Sequence, residues 1–598
     1  MNAKIDKSVD VLVVGGGGCG LAISIFLADK GVDFLTIERH ASTSILPKAH
    51  YLNQRTMEIF RQHGLADEVY AKGTPPYNRS RTKWYTSLGG DNPLAGKTIF
   101  EMGALGGHGT PRIVHYLETS PTDTGNLPQI RLEPLIKSHA EARDASRIRF
   151  SCELVEFTQD AEGVTAKVRD VNTNQTETIR AKYMVAADGG RTVGKTLGVA
   201  MEGPTKLITQ ISVHFEADLS QWIPDDRVLL NWLKPMHRQG VSVIVPMGPD
   251  KWGRNSPEWS LGLPRMPFDP LSFSDEEAAD EVRKILGVAD LPIKVRCVSE
   301  WVVEGVLAER YRVGRVFLAG DAAHRHPPTT GLGLNTGIQD AHNLAWKLAL
   351  ATQGNAGDKL LDTYEAERRP VGAFNVEWAL NAFFNHMLLE MGVVAVHPNN
   401  LTEVQTPGHV IGAVQGLFAD SANGRMRRDR LATIFGTQAI EFFAQDVELG
   451  FVYDSSAIVK DGTPAPARPA DGQLYIPTSR PGHRLPHCWL DRSGEKLSTH
   501  DLTGRGAQFV LIVRGQSQAW RVAAEAAYAA TGAKIKTVFV GRGGDVLDTE
   551  ARWSELSGTQ DDGAVLVRPD NMVAWRSAAL PNDASAKLTR GLRDVLGA

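Results

Sequence analysis

Hydrophobic positions near the N-terminus run together instead of alternating. Val9-Asp-Val-Leu-Val-Val14 is a short β-branched run, the pattern of a parallel strand buried on both faces. A cluster of glycines follows, then an apolar stretch from Leu21 to Ala28 that reads as a helix, then Val32-Asp-Phe-Leu-Thr-Ile-Glu38, which returns to a strand. Two later segments repeat an apolar strand that ends in a tight turn: Lys182-Tyr-Met-Val-Ala-Ala-Asp188-Gly189 and Gly314-Arg-Val-Phe-Leu-Ala-Gly320-Asp321. The second feeds a long helix running to Lys347. Alternation appears in residues near 80–125 and 200–300, as in Leu207-Ile-Thr-Gln-Ile-Ser-Val-His-Phe215, and predicts an antiparallel sheet. Glu377 to Val396 is apolar and helical. Past the proline-rich Thr463-Pro-Ala-Pro-Ala-Arg-Pro469, a separate unit is expected in the order strand (Phe509–Val513), helix (Ala519–Ala530), strand (Lys536–Val540), strand (Ala564–Arg568) and last helix.

Composition narrows the function classes. At 598 residues the chain has room for three or four structural units at roughly 150 residues each. Its 65 Lys+Arg against 69 Asp+Glu leave a net charge of -4, which disfavours bulk electrostatic binding to nucleic acid or anionic lipid. Cys19, Cys152, Cys297 and Cys488 are scattered without a CxxC, so neither a disulfide framework nor a zinc knuckle is expected. Val11 to Ala28 could pose as a signal or membrane segment, but the four glycines Gly15 to Gly18 and the strand that follows argue against it. A cytoplasmic protein with no membrane or nucleic-acid partner is the expectation.

The glycines at 15, 17 and 20 fit G-x-G-x-x-G between the first strand and the first helix. Gly15 serves the tight turn, Gly17 leaves bare backbone for a pyrophosphate, and Gly20 lets helix and strand pack closely. The helix then presents free N–H groups and the positive end of its dipole to phosphate. Glu38, at the end of the second strand, is placed to accept hydrogen bonds from a ribose diol. This fingerprint specifies an adenine dinucleotide and leaves NAD and FAD open.

With the Asp188-Gly189 and Gly320-Asp321 turns, the continuation Arg325-His-Pro327-Pro-Thr-Thr-Gly331-Leu-Gly333-Leu-Asn335, the segment Leu360–Pro370 and the C-terminal Arg480–Leu490, the chain resembles the single-component FAD-dependent aromatic hydroxylases over essentially its whole length. It is most similar to their phenol-type branch, which includes the chlorophenol and hydroxybiphenyl monooxygenases. The resemblance implies an α/β fold: a Rossmann-like FAD-binding domain of the glutathione reductase type, an antiparallel-sheet substrate domain and a thioredoxin-like C-terminal domain without CxxC. The FAD-binding domain is expected over 1–80, 126–200 and 300–380, and the substrate-binding domain over 81–125 and 201–299. A helical cover or interface segment is expected over 381–462, and the C-terminal domain, in a structural or dimerisation role, over 463–598.

The same resemblance implies the chemistry. NADPH or NADH reduces FAD, O2 adds at flavin C4a, and the distal oxygen of the hydroperoxide is attacked by an electron-rich ring carbon, most readily ortho to a phenolic hydroxyl. Asp321 is expected on the ribityl chain, and the backbone of Pro328, Gly331, Gly333, Leu334 and Asn335 along the flavin N1/C2 edge, where a helix N-terminus stabilises the anionic reduced flavin. Arg39, Lys48, Gln129 and Asp188 complete the expected cofactor contacts. His50 is the candidate base for the phenol, whose pKa lies near 10 like that of tyrosine. Asn126 can orient a hydroxyl or the histidine but cannot serve as a base at neutral pH. Trp232 and Lys234 are expected to line the substrate pocket. No metal is expected, since the Gly-Asp context accounts for His324 and His326.

Two departures stand out. Asp188-Gly-Gly-Arg-Thr192-Val-Gly194-Lys195 replaces the family's Asp-Gly-x-x-Ser-x-Val-Arg, which leaves the nicotinamide contacts open. Lys48 stands after Pro47 where relatives carry Arg, which keeps charge but loses the planar fork. Two alternatives accompany the phenol reading: a hydroxylase tailoring a larger polycyclic or polyketide phenol, and a flavoprotein that has lost catalysis. The expected ligand is a small phenolic molecule, and a homo-oligomer is compatible with the apolar helix after Glu377.

Overall fold

The structure, a computed structural model, describes residues 4–267, 269–394 and 407–598. Its first large sheet holds five parallel strands in the order Val316–Leu318, Thr176–Ala186, Lys7–Val14, Phe34–Ile37 and Ile148–Arg149. Val11, Leu12, Val13 and Leu35 are fully buried there, as unbroken β-branched runs require. The helix Gly18–Asp29 is apolar all round because it is enclosed on every side: it packs on this sheet, on the helix Gln129–Asp144 and on the helix Leu332–Thr352. An antiparallel extension, Cys152–Gln159 with Val164–Asp170, grows from the N-terminal half of Thr176–Ala186.

The second sheet has seven strands in the order Lys294–Val303, Ile208–Glu216, Glu258–Pro264, Ser242–Gly248, Val228–Leu233, Arg81–Tyr85 and Thr98–Gly103. It is antiparallel except at one seam, where Val228–Leu233 and Arg81–Tyr85 run parallel. A parallel seam joins strands distant in sequence, and alternation alone carries no sign of it. The expected boundary between 299 and 300 falls inside Lys294–Val303.

Two expectations differ from the structure. The apolar stretch from Glu377 is the second half of one helix, Asp358–Val394, that runs through Pro370, so the expected boundary at 380/381 cuts it. Glu367 and Arg368, just ahead of the proline, are held in buried ion pairs with Arg568 and Asp340. Positions 395 and 396 of the expected helix lie outside the described residues. Nor is the C-terminal unit closed on itself. Its sheet runs Ile535–Val540, Phe509–Arg514, Ala564–Val567, Val573–Ser577, with the last strand and the hairpin Trp489–Arg492/Glu495–Ser498 unforeseen. Its helices Ala519–Thr531 and Ala584–Leu596 share one apolar core with Trp346, Leu350 and Leu360 of the preceding helices. Among the described residues no helix is long and apolar enough to cross a membrane.

Candidate active site

The glycine loop is built by three different steric demands. Gly15 has φ +114, and a Cβ there would stand 2.2 Å from the Ala187 carbonyl oxygen. A Cβ on Gly20 would meet the Gly15 oxygen at 1.9 Å, whereas on Gly17 it would meet only Glu133 Oε1, at 3.6 Å. Gly17 is therefore bare toward open space, at the N-cap of the first helix. Glu38 accepts from the Gly16 N–H at 2.8 Å and from the His40 N–H at 2.9 Å. Burial alone would raise its pKa, but those hydrogen bonds hold the carboxyl below its ordinary value. The His40 ring also bonds Oε1 through Nδ1, so it is Oε2 that keeps a lone pair for a diol. Arg39 and Lys48 are both exposed.

The helix Leu332–Thr352 brings a second N-terminus to the same place, since a Cβ on Gly18 would stand 2.9 Å from Leu334 Cδ1. Gly331, with φ +64, caps it. Gly333 and Leu334 are half-buried at its first turn, Pro328 is exposed ahead of it, and Asp321 stands exposed beside the Gly190 turn. The Asn335 side chain does not face this cleft. It is fully buried, donates to the Tyr51 and Gly331 carbonyls at 3.0 and 2.7 Å, and accepts from the Asn53 N–H. Its work is to hold the strand carrying Tyr51 against the helix start. Asp188 likewise turns into its own loop, accepting from the N–H groups of Gly190, Thr192 and Val193.

His50 immediately precedes that strand, half-buried, with Nδ1 2.6 Å from Asn126 Oδ1. The pairing of Tyr51 with Asn126, and the bond from the Leu127 N–H to the His50 carbonyl, lock the two backbones together. Asn126 donates its Nδ2 to Thr74 Oγ1 at 2.7 Å, so its oxygen faces the imidazole and the histidine proton sits on Nδ1. Burial lowers the His50 pKa and leaves a neutral ring with a free Nε2 lone pair at neutral pH.

Trp232 and Lys234 stand in the second sheet and are largely engaged there. Trp232 donates to Thr82 Oγ1 at 3.0 Å and stacks on Trp84 at 5.9 Å. Lys234 is buried and ion-paired with Glu390 at 2.9 Å beside a void of about 10 Å³, room for a single water. The alternation placed both on the right sheet but could not say which partner each would find.

Reading the sequence missed Glu133. Its carboxylate accepts from the Gly18 and Ser44 N–H groups and from Gln129 Nε2 at 2.6 Å, tying the glycine loop, the 40–50 loop and the helix Gln129–Asp144 together. The i,i+4 spacing of Gln129 and Glu133 was the available signal. Arg131 bridges to Glu258 of the second sheet at 2.7 Å, where His214 also bonds. His324 pairs with Asp340 at 2.7 Å in the core. His326 has both ring nitrogens buried and without a partner among the described residues, with Nδ1 3.7 Å from where a Gly333 Cβ would be. Burial holds it neutral, one donor and one acceptor.

Two helix N-termini, an uncovered glycine backbone, an acid at the strand end and an orphaned imidazole beside Gly333 together fit a flavin dinucleotide. Comparison with known proteins agrees. Residues 8–379 match the FAD binding domain family and residues 478–598 the aromatic-ring hydroxylase C-terminal family. The chain is 36% identical to 2,4-dichlorophenol 6-monooxygenase of Delftia acidovorans, covering 100% of both chains. It is 34% identical to tetracenomycin A2 monooxygenase-dioxygenase of Streptomyces glaucescens, covering 99% of this chain and 97% of that one. The solved structure of the flavin-dependent monooxygenase PieE in complex with FAD and substrate superposes with a TM-score of 0.91 at 37% identity, covering 99% of this chain and 100% of that one. The chain belongs to the FAD-dependent aromatic monooxygenases, and FAD is its cofactor.

Proposed function

We propose that this enzyme hydroxylates a phenolic ring ortho to the existing hydroxyl, with NADPH or NADH as electron donor and O2 as oxidant. The observation that carries the reading is the base-ready imidazole of His50, set by Asn126 just ahead of a strand that Asn335 fastens to the start of the helix Leu332–Thr352. FAD, when bound, supplies reduction by nicotinamide and activation of O2. The chain's part is to bind, orient and move a proton. Gly17, Gly333 and Leu334 offer backbone to the cofactor, Glu38 takes the ribose diol, and Asp321, Pro328, Gly331, Arg39, Lys48 and Gln129 border it. Asp188 and Asn335 act one step back, by holding the loops that do. His50 Nε2 accepts the phenol proton as the ring oxygen becomes electron-rich, and Asn126 Oδ1 stabilises the resulting imidazolium through Nδ1–H. Trp232 and Lys234 shape the far wall from within the second sheet.

The near-equal identities to 2,4-dichlorophenol 6-monooxygenase, 36%, and to a putative polyketide hydroxylase of Streptomyces halstedii, 34%, favour a second reading in which the ring belongs to a polycyclic phenol. The free state of all four cysteines supports a reducing cytoplasmic setting. Phe384, Met387 and Leu388, 46%, 50% and 45% exposed on one helix, support a homo-oligomer. The test is NADPH and O2 consumption with product identification across phenol, chlorophenols, hydroxybiphenyl and a polycyclic phenol. Coupled formation of a catechol from a single-ring phenol is expected. Coupling only with the polycycle would move the assignment to the second reading, and no coupling with any phenol would overturn both.

A further inference from the structure

Behind His50 lies a residue that no flavin motif contains. Thr74 is 4% exposed and is joined to Asn126 twice: its N–H donates to the Asn126 carbonyl at 2.8 Å, and its Oγ1 accepts from Asn126 Nδ2 at 2.7 Å. Gly73 makes this approach possible, because a Cβ there would stand 2.7 Å from the Asn126 oxygen. On its other side Thr74 lines a cavity of about 280 Å³, together with Arg61, Asp67, Tyr70, Arg79 and Asp123. We propose that Thr74 is a positioning residue for the His50 base: its hydroxyl fixes the Asn126 amide and, through it, the tautomer of the imidazole.

A threonine hydroxyl can donate or accept, and the direction matters here. If it donated to Asn126, the amide would be reversed, Nδ2 would face His50 Nδ1, and the neutral ring would carry its proton on Nε2 with no lone pair for the phenol. The structure turns Nδ2 to Thr74 and Oδ1 to His50, and the space on the other side of Thr74 is wide enough for waters toward which the hydroxyl proton can turn, so that a lone pair faces Asn126 Nδ2. On that side Arg79 is paired with Asp123 at 2.9 Å and Arg61 with Asp501 at 2.8 Å, and the Asp123 carboxylate also takes His108 at 2.8 Å. On the imidazole side, Asn126 is the partner that opposes the effect of burial on the His50 pKa. The Asn126 backbone is paired with Tyr51 and the His50 carbonyl accepts from the Leu127 N–H, so amide rotation is the freedom that Thr74 removes.

This inference rests on His50 being the base, and the experiment separates the two. Wild type, Thr74→Val, Thr74→Ser and His50→Ala holoenzymes are compared for FAD content, for the pH profile of phenol-stimulated NADPH oxidation, and for the ionisation of bound 4-nitrophenol read from its absorbance. Thr74→Val is expected to keep its FAD, to lose about tenfold in rate near neutral pH as one hydrogen bond is removed, and to require higher pH to ionise the bound nitrophenol. Thr74→Ser is expected to restore the wild-type profile. A Thr74→Val profile that overlays wild type while His50→Ala shifts it would overturn the positioning role. If His50→Ala leaves the profile unmoved, the base assignment itself fails. Should Thr74→Val not fold, Thr74→Ala, which keeps the backbone bond to Asn126, is judged by the same outcomes.

Discussion

At the scale of single residues, the three glycines of the first loop carry different weights although the motif writes them alike. Gly20→Ala places a methyl 1.9 Å from the Gly15 oxygen, which forces helix and strand apart; it should yield little folded protein. Gly17→Ala meets nothing closer than 3.6 Å in the protein, so the apoprotein should melt within a few degrees of wild type. The methyl nevertheless occupies the side on which pyrophosphate approaches, and FAD affinity measured by flavin fluorescence should fall at least tenfold. Equal loss of folding in both variants would refute the distinction. Residue identity in a motif was thus legible, but side-chain direction was not. Asn335 and Asp188 sit in flavin motifs yet spend their polar atoms on neighbouring backbone, and Lys234 meets a glutamate more than a hundred positions away. Such partners are set by tertiary packing, which local pattern does not encode.

At the scale of elements, strands and helices with strong periodicity or glycine punctuation were readable, and their continuations were not. The pattern marked the long helix only from Glu377, where it turns apolar, although the helix begins at Asp358 and runs through Pro370, and the parallel seam of the second sheet leaves no mark in its alternation. The Asp188 loop shows how an element end can be held by one carboxylate. Gly189 and Gly190 both have φ +70, and Asp188 receives three N–H groups from the turn and the short helix Val193–Thr196. Asp188→Ala should therefore cost about 1–2 kcal/mol, as the loss of a helix cap does, while Asp188→Asn recovers part of it. Urea denaturation of the two variants checks this. If alanine leaves stability unchanged but weakens FAD binding, the carboxylate touches the cofactor directly.

At the scale of the whole molecule, the C-terminal unit is fastened to the FAD-binding body by buried charge. Glu58 pairs with Arg484, and Glu367 with Arg568, with every one of these side chains fully buried. Beside the first pair lie His500, lowered to about 4 by burial, and His487, lowered to about 3 by burial and by His500. Both stay neutral in the fold, while an unfolded histidine protonates near 6.5, so the unfolded state binds more protons as pH falls below that value. Stability should decline from about pH 6.5 downward, by up to about 1.4 kcal/mol per pH unit for each histidine. A second loss should begin near the ordinary glutamate range, because Glu58 and Glu367 are held well below it by their arginine partners despite burial. A melting temperature constant between pH 7 and pH 5 would show that the joint does not sense acid through these histidines.

The same joint predicts what happens when one of its charges is removed. Glu367 accepts from Arg568 at 2.6 and 2.9 Å, from Lys347 at 2.7 Å, from Asn343 at 2.7 Å and from Ser455 at 2.7 Å. Glu367→Gln keeps the shape but leaves the Lys347 ammonium, whose pKa burial already lowers to about 8, without its counter-ion. Breaking a buried pair from one side costs about 3–5 kcal/mol, because the orphaned charge remains in a poorly solvating interior. Removing the ammonium as well lifts that burden, since a glutamine at 367 still offers an oxygen to Arg568, which keeps Asp570 as its counter-ion, so Glu367→Gln combined with Lys347→Met should be less damaging than Glu367→Gln alone. Urea unfolding of the holoenzymes measures both. Since Trp346, Leu350 and Leu360 complete the C-terminal core, the loss should appear as one cooperative transition of body and C-terminal unit together. Two separate transitions would mean that the two parts fold independently and that the buried pairs only decorate their contact.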